Sequence, residues 1–383
     1  MGALTFYITY ACNLRCKYCY ACEKYNKSMD INTAYKAIET LFAKGNSSNN
    51  FGFFGGEPLL EQSMIFEIIN YVNKRSNELN QKCRFNITTN GTIFSQELYH
   101  LFLSNRFDIT LSVDGNRDSQ NTGRVTVDKK GSFDILERNL PKWAELNKHC
   151  RIHVNMVLTP ENIQYFSESI RFLTSYGFRI IDPEIDFNSQ WSESDFELLE
   201  KEYFKVVDYF VNMLNNGRFC NINGLNIPGF NAKRSVLKQY KCENNALPEK
   251  RIKCSACGER LVLSPEGKYY PCYLFVGFDN IRDFSIGDIY TGPESHKRSA
   301  IVNAAEAKIH DYFSSACDEC RIDRCVLNCL ALYFMPPENI EWKICSNRNM
   351  MIKINTYLAK VINERKAHKA IEEAIKRGAL FGN

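Results

Sequence analysis

Hydrophobic residues recur along the first half of the chain in two alternating rhythms. Short apolar or alternating runs at 4–10, 51–54, 83–89, 107–113, 151–158 and 178–187 read as strands. Between them, apolar residues spaced by threes and fours read as helices at 31–44, 61–76, 95–105, 132–148 and 163–176. A longer helix is expected over 192–214. Strand–helix units in such succession predict an α/β fold with a parallel sheet covered by helices. Right-handed crossovers would curve that sheet into an open or partial barrel.

The pattern then changes. A Gly/Asn-rich stretch from Asn215 to Asn231 breaks it, and from Cys242 to Cys345 regular periodicity fades while cysteine density rises. Metal bonds could order such a loop-rich region in place of a large core. The tail, 347–377, reads as an amphipathic helix ending at Gly378 and is expected to pack against the barrel. These boundaries divide the chain into a core at 1–215, a linker at 216–241, a cysteine-rich domain at 242–346 and a C-terminal helix at 347–383.

The unusual residues share one address. Cys12, Cys16 and Cys19 follow the first strand, and Gly55, Gly56 and Glu57 follow the second. Thr89, Asn90 and Gly91 follow the third; Ser112, Asp114 and Gly115 end the fourth; Asn155 lies on the fifth. In parallel barrels the active site sits at the C-terminal ends of the strands.

Composition narrows the chemistry. The net charge is +4 and no basic block runs along the chain, so no dedicated nucleic-acid surface is indicated. No apolar run is long enough to span a bilayer, and the N-terminal stretch lacks the basic start of a secretory signal. A soluble, cytoplasmic protein without a membrane partner is expected. Thiols stay reduced in that compartment, so sixteen cysteines in two groups point to metal sites. Cys12-x3-Cys16-x2-Cys19 supplies three thiols. A cubane cluster usually takes four, so three would leave one iron open; a zinc knuckle completed by Cys22 also fits the spacing. Downstream come Cys254-x2-Cys257-x9-Gly267-x4-Cys272, Cys317-x2-Cys320-x4-Cys325-x3-Cys329, and Cys345. These eight suffice for two fully ligated clusters or two zinc ribbons. Cys22, Cys83, Cys150, Cys220 and Cys242 remain, and read as small buried hydrophobes. Cys22 is also a candidate hydrogen donor or substrate-facing thiol because it lies near the first group.

The CxxxCxxC motif, with Tyr18 just before its last cysteine, resembles the signature of radical S-adenosylmethionine (SAM) enzymes. Gly55-Gly56-Glu57-Pro58, Thr89-Asn90-Gly91 and Ser112-Val113-Asp114-Gly115 resemble later motifs of that superfamily, in order. The resemblance implies a partial (β/α)6 TIM-like barrel in which Cys12, Cys16 and Cys19 hold a [4Fe–4S] cluster. Its open iron would be chelated by SAM. It further implies that Gly55, Gly56 and Glu57 bind the cofactor's amino group. Ser112 and Asp114 would contact its carboxylate and ribose, and Tyr18 and Val157 would border the adenine with Asn155 nearby. Thr89, Asn90 and Arg124 are further candidates for cofactor contact, or for local turn and surface structure. The downstream layout resembles the SPASM extension of peptide-modifying members. That would place Cys254, Cys257, Cys272 and Cys329 on one auxiliary [4Fe–4S] cluster and Cys317, Cys320, Cys325 and Cys345 on a second, three clusters in all. Two features depart from the pattern: the gap before Cys325 is four where five is usual, and Cys254 and Cys257 are unusually close.

Three reactions use this architecture. Oxidative cross-linking of a ribosomally made precursor peptide, through a thioether, ether or carbon–carbon bond, is the expectation. Epimerisation of an α-carbon is an alternative. Formylglycine formation, as in anaerobic sulfatase maturases, is another. Those enzymes carry an Asp after the cysteine equivalent to Cys272, where this chain has Tyr273. Only eleven residues precede Cys12, which leaves no room for an N-terminal leader-binding module. A separate leader-binding protein or another surface of the chain would take that task, or no leader is bound. Flavodoxin or ferredoxin is the kind of electron donor expected. A zinc-ribbon interaction module, the non-enzymatic alternative, explains the paired cysteines but not the strand-end motifs.

Overall fold

The computed structural model describes residues 2–21, 23–225, 254–258, 260–313 and 329–376. The first half alternates as its periodicity predicts: β1 (Gly2–Thr9), α1 (Ile31–Phe42), β2 (Ser48–Gly55), α2 (Gln62–Glu78), β3 (Lys82–Thr89), α3 (Gln96–Asn105) and β4 (Asp108–Ser112). Then follow α4 (Arg117–Gly123), α5 (Phe133–Glu137), α6 (Leu140–Leu146), β5 (Arg151–Leu158), α7 (Phe166–Ser175), β6 (Ile180–Ile185), α8 (Glu193–Asn215) and β7 (Asn221–Ile222). Helix starts are set by side-chain caps. Asp30, Ser95 and Asn116 each accept a first-turn N–H, and Ser192 and Asp195 form a reciprocal capping box. Two expectations need correction. The helix read over 132–148 is two short helices, because Pro141 starts a new one at Leu140. The short α4 falls within the loop after β4, where no helix was expected.

The strands join in the order β7-β6-β5-β4-β3-β2-β1-β8-β9. All neighbouring pairs are parallel except the last, between β8 (Arg260–Leu263) and β9 (Tyr269–Tyr270). β8 comes from the cysteine-rich region and pairs with the free edge of β1 through Ala3 to Phe6. One open, curved sheet therefore runs through both halves of the chain.

Each strand turns its apolar positions toward the helices. Phe6, Phe51, Phe53, Phe85 and Phe107 form a buried file with ring centroids 5.5–6.4 Å apart. Burying each such ring is worth roughly 1.5–3 kcal/mol. The alternate positions, among them Asn86, Thr110, His153 and Asn155, point to the concave side and are less buried.

The second half continues with α9 (Ser295–Phe313), α10 (Leu330–Phe334), α11 (Ile340–Glu364) and α12 (His368–Lys376). The C-terminal helix thus starts earlier than the expected residue 347 and contains Cys345. It lies along α8, with Trp342 against Phe196 and Tyr357 against Phe204. Among the described residues no helix is long and apolar enough to cross a membrane.

Candidate active site

The loop after β1 carries the three-cysteine motif, and its backbone is held from the side. Arg15 N–H donates to Val125 C=O and Lys17 N–H to Gly123 C=O, at 2.6 and 2.9 Å, while Leu14 is buried beneath. Cys12 and Cys16 are half-buried and Cys19 is exposed. Burial pushes the Cys12 thiol up and the Cys16 thiol up to about 11. Cys19 adds to both shifts, and Cys12 adds to that of Cys16, so the three thiols lie near one another. Among the described residues no group of three or more His, Cys, Asp or Glu side chains is arranged to hold a single ion. A four-iron cube spaces its thiolates across separate corners, a wider arrangement than donors to one ion require.

Gly55 and Gly56 end β2 beside this loop. Gly55 adopts φ +141°, and a Cβ there would meet the Thr9 backbone; one at Gly56 would meet the Ala11 carbonyl. Gly56 N–H donates to Thr9 C=O at 2.8 Å and Glu57 N–H to Ala11 C=O at 2.9 Å. The close approach that demands glycine is therefore to the chain leading into Cys12. Glu57 is fully buried and accepts from Leu59 N–H, Asn90 N–H and the Thr89 hydroxyl at 3.0, 2.7 and 2.8 Å. Burial pushes its carboxyl up to about 7 against these three donors. Asn90 in turn donates to Asn13 at 2.9 Å and lies 4.0 Å from Cys12 Sγ. Thr89, Asn90 and Glu57 thus brace the cysteine loop from below.

Asp114 is the second anchor. Its carboxylate is fully buried and accepts from the Tyr18 hydroxyl, from Arg124 Nη2 at 2.9 Å and from Val157 N–H at 3.0 Å. The Arg124 guanidinium also sits over the Tyr18 ring, 5.3 Å from its centre. Three protein donors thus already engage the carboxylate expected to contact the cofactor. Arg124 Nε, by contrast, is buried with no acceptor among the described residues.

Ser112 pairs in register with Asn155, and Asn155 with Asp182, forming a polar row on the concave face near the strand ends. His153 Nδ1 lies 3.5 Å from Asp182. Glu184, beside Val157 in register, is open to solvent, yet surrounding protein and Asp182 push its carboxyl up. His153, Asp182 and Glu184 escaped the sequence reading. Their signal was the run of polar residues at alternate positions, Arg151, His153 and Asn155 on β5 and Asp182 and Glu184 on β6.

The second cysteine region meets the first across aromatic rings. Cys254 precedes and Cys257 ends a short helical turn ahead of β8, and Arg298 holds this stretch through the Ala256 and Arg260 carbonyls. Burial pushes the Cys272 thiol up to about 12, with Cys329 and Cys254 adding to it, so these three also lie together. Tyr273, next to Cys272, stacks on Phe54 at 4.2 Å and leans on Tyr20 at 6.3 Å. Tyr20 directly follows Cys19. The Tyr10 hydroxyl and Lys27 both reach Glu266, at 2.9 and 2.6 Å, and tie the β8–β9 turn to the cysteine loop. Cys22, Cys242, Cys317, Cys320 and Cys325 lie outside the described residues. Cys150 and Cys220 are buried and Cys83 is half-buried.

Soft thiolates suit iron–sulfur clusters. A buried guanidinium N–H lacking an acceptor suits an anionic group bound beside the loop. The residues present therefore fit both a cluster and a carboxylate-bearing cofactor.

Comparison with known proteins agrees. Residues 6–173 match the radical SAM superfamily and residues 254–325 match SPASM, an iron–sulfur cluster-binding domain. The cysteine-type anaerobic sulfatase-maturating enzyme of Clostridium novyi is 26% identical over 295 residues, covering 73% of this chain and 74% of that enzyme. The radical SAM cyclopropyl synthase TigE of Paramaledivibacter caminithermalis is 26% identical over 304 residues, covering 73% and 59%. Protein MJ0907 of Methanocaldococcus jannaschii is 31% identical over 188 residues, 47% of this chain, and the match spans only 61% of that protein. The structure of anSMEcpe with bound AdoMet and Cp18Cys peptide has a TM-score of 0.68 at 18% identity, covering 94% of this chain and 99% of that one. That likeness is one of fold. Strand-end motifs, cysteine loop and sheet thus lead to one placement: the chain carries a radical SAM domain over residues 6–173 and a SPASM domain over residues 254–325.

Proposed function

We propose that this protein is a radical SAM peptide maturase that forms an oxidative cross-link in a ribosomally made peptide. In this reading residues 1–215 form the catalytic core, 216–241 a linker and 242–346 the auxiliary-cluster domain, followed by the C-terminal helical segment. Cys12, Cys16 and Cys19 hold the radical-generating cluster. Cys254, Cys257, Cys272 and Cys329 hold one auxiliary cluster, and Cys317, Cys320, Cys325 and Cys345 hold the other. When bound, cluster and SAM together supply a 5′-deoxyadenosyl radical able to abstract hydrogen from an unactivated C–H bond.

The chain's own residues position and shield. The Glu57–Thr89–Asn90 brace fixes the cysteine loop, and the Asp114–Arg124 pair fixes Tyr18 beside it. Ser112, Asn155 and Val157 line the concave wall above, where bound reactants are held in contact and water is kept away. The observation that carries the reading is the Tyr20–Tyr273–Phe54 stack. It links the residue after Cys19 to the residue after Cys272, so the reaction space lies between the radical site and an auxiliary electron acceptor. Closing a cross-link removes two hydrogens, one as an atom and one as a proton plus an electron. The second loss needs an acceptor of this kind. An external donor such as flavodoxin or ferredoxin would supply the reducing electron, and a precursor peptide the substrate.

A second reading, formylglycine formation, is favoured by the sequence match to the Clostridium novyi enzyme over most of both chains. Tyr273 argues against it, since a phenol stands where those enzymes carry a carboxylate.

Anaerobic reconstitution followed by iron and sulfide analysis tests the cofactor content, with about twelve irons per chain expected for three cubanes. Cys16→Ala should abolish 5′-deoxyadenosine formation. A preparation holding zinc without sulfide would favour the ribbon module instead. With a precursor peptide, mass spectrometry separates the reactions. Cross-linking removes two hydrogens and retains sulfur, formylglycine formation from Cys loses the sulfur, and epimerisation leaves the mass unchanged.

A further inference from the structure

At the end of the barrel opposite the cysteines, α7, α8, the entry to β7 and α12 enclose a cleft of about 900 Å³. That is the size of a small-ligand site. Arg179, Arg218, Lys366 and Lys369 line it, all exposed, and Glu373 is its one acidic residue. None of the four cations has an ion-pair partner among the described residues. Four like charges in one cleft concentrate positive potential in a chain whose net charge is only +4.

Helix ends account for part of this. Arg179 follows the C-terminal end of α7 and Arg218 that of α8, where the exposed carbonyls favour cations. Lys366 likewise follows the C-terminal end of α11, so helix ends leave only Lys369 unaccounted for. Lys369 stands in the first turn of α12, where the helix dipole opposes positive charge, and no acidic residue occupies that turn. Local stability alone would place carboxylates there.

We propose that this cleft binds an acidic segment of the peptide substrate, away from the residue that reacts; the proposal rests on the peptide-maturase reading above. The site lies at the start of β6 and β7, and a six-residue strand such as β6 puts roughly 20 Å between it and the strand ends. An electron donor docked there would be far from the cluster. An extended peptide gains about 3.3 Å per residue, so one ten or more residues long reaches from the cleft to the reaction space. The positive charge is confined to one cleft instead of forming the long track that a nucleic acid needs.

The test uses the full chain with its clusters and fluorescein-labelled octaglutamate as the probe, read by fluorescence anisotropy. Saturable binding that weakens with added salt is expected. Lys366→Glu/Lys369→Glu should weaken it by at least about tenfold, and Arg179→Gln/Arg218→Gln should act in the same direction. Lys44→Glu/Lys74→Glu, on the far side of the barrel, should stay within about twofold of the parent. The substituted side chains in the cleft are exposed, so the melting temperature should hold. Unsaturable binding, equal affinity in the cleft variants, or tighter binding of octathymidylate than of octaglutamate would each overturn the proposal. 5′-Deoxyadenosine formation is measured on the same preparations. Its absence from the parent protein would sink the maturase reading whatever the probe does.

Discussion

Replacing Asp114 with Asn removes one negative charge from a place with no solvent to compensate. Asp114 is fully buried and the Arg124 side chain is 6% exposed, so the variant leaves the guanidinium charge enclosed without its counter-ion. Removing one partner of such a buried pair costs about 3–5 kcal/mol. The new amide also turns a donor toward a site already ringed by donors: the Tyr18 hydroxyl, Arg124 Nη2 and Val157 N–H. At roughly 2–4 °C per kcal/mol for a large domain, the melting temperature should fall by roughly 6–20 °C. Because Tyr18 stands two residues after Cys16, the variant should also lose iron faster than the parent on anaerobic gel filtration. Tyr18→Phe removes only the hydroxyl and should cost about 1 kcal/mol. Arg124→Gln in the Asp114→Asn background should recover part of the loss, since no enclosed charge then remains. The melt is followed anaerobically by circular dichroism. If Asp114→Asn melts within about 2 °C of the parent and keeps its iron, Asp114 is not an internal anchor.

Other expectations follow from the same site. Gly56→Ala forces a Cβ into the Ala11 carbonyl, so iron retention should collapse while far-ultraviolet circular dichroism keeps its α/β signal; normal iron content would show that the loop can yield. Cys272→Ala should still release 5′-deoxyadenosine but leave the peptide unmodified, provided its melt and core iron are intact; full product would refute the electron-acceptor role. Burial lifts the Glu57 carboxyl from 4.5 to about 7, so between those values the folded state holds a proton that the unfolded chain has released. This stabilising contribution is present at low pH and lost as pH rises through 7, a change on the order of 3 kcal/mol. The stability advantage of the parent over Glu57→Gln should therefore shrink from pH 5 to pH 7.5 in urea titrations, and a constant difference would contradict the assignment.

Much of the architecture is a local property of the sequence. A two-residue period marks β5 and a 3.6-residue period marks α1, each visible within a dozen positions. The Cys12-x3-Cys16-x2-Cys19 spacing needs nothing beyond its own loop to present three thiols. Glycine at 55 and 56, and polar residues at 89, 90, 112 and 114, could be placed at strand ends because the strands themselves were legible.

Other features joined residues far apart in the chain, and only the tertiary structure decided them. That Asp114 meets Arg124 depends on where the chain after α4 folds back, which no periodicity records. The glycine pair was legible as a site of close approach, but its partner, the backbone from Thr9 to Ala11, emerged only when β2 paired with β1. β8 returns from the cysteine-rich region to the free edge of β1, across more than two hundred residues. That return carries Tyr273 onto Phe54, and a unit that looked separate in sequence completes the wall of the site. The cationic cleft draws one residue from each of two helix-to-strand turns, one from the turn between α11 and α12, and one from the first turn of α12. Periodicity and ligand spacing are written in neighbouring residues, whereas burial and charge pairing depend on strand register and chain return, so the sequence determined the elements and their chemistry, and packing determined which of those groups meet.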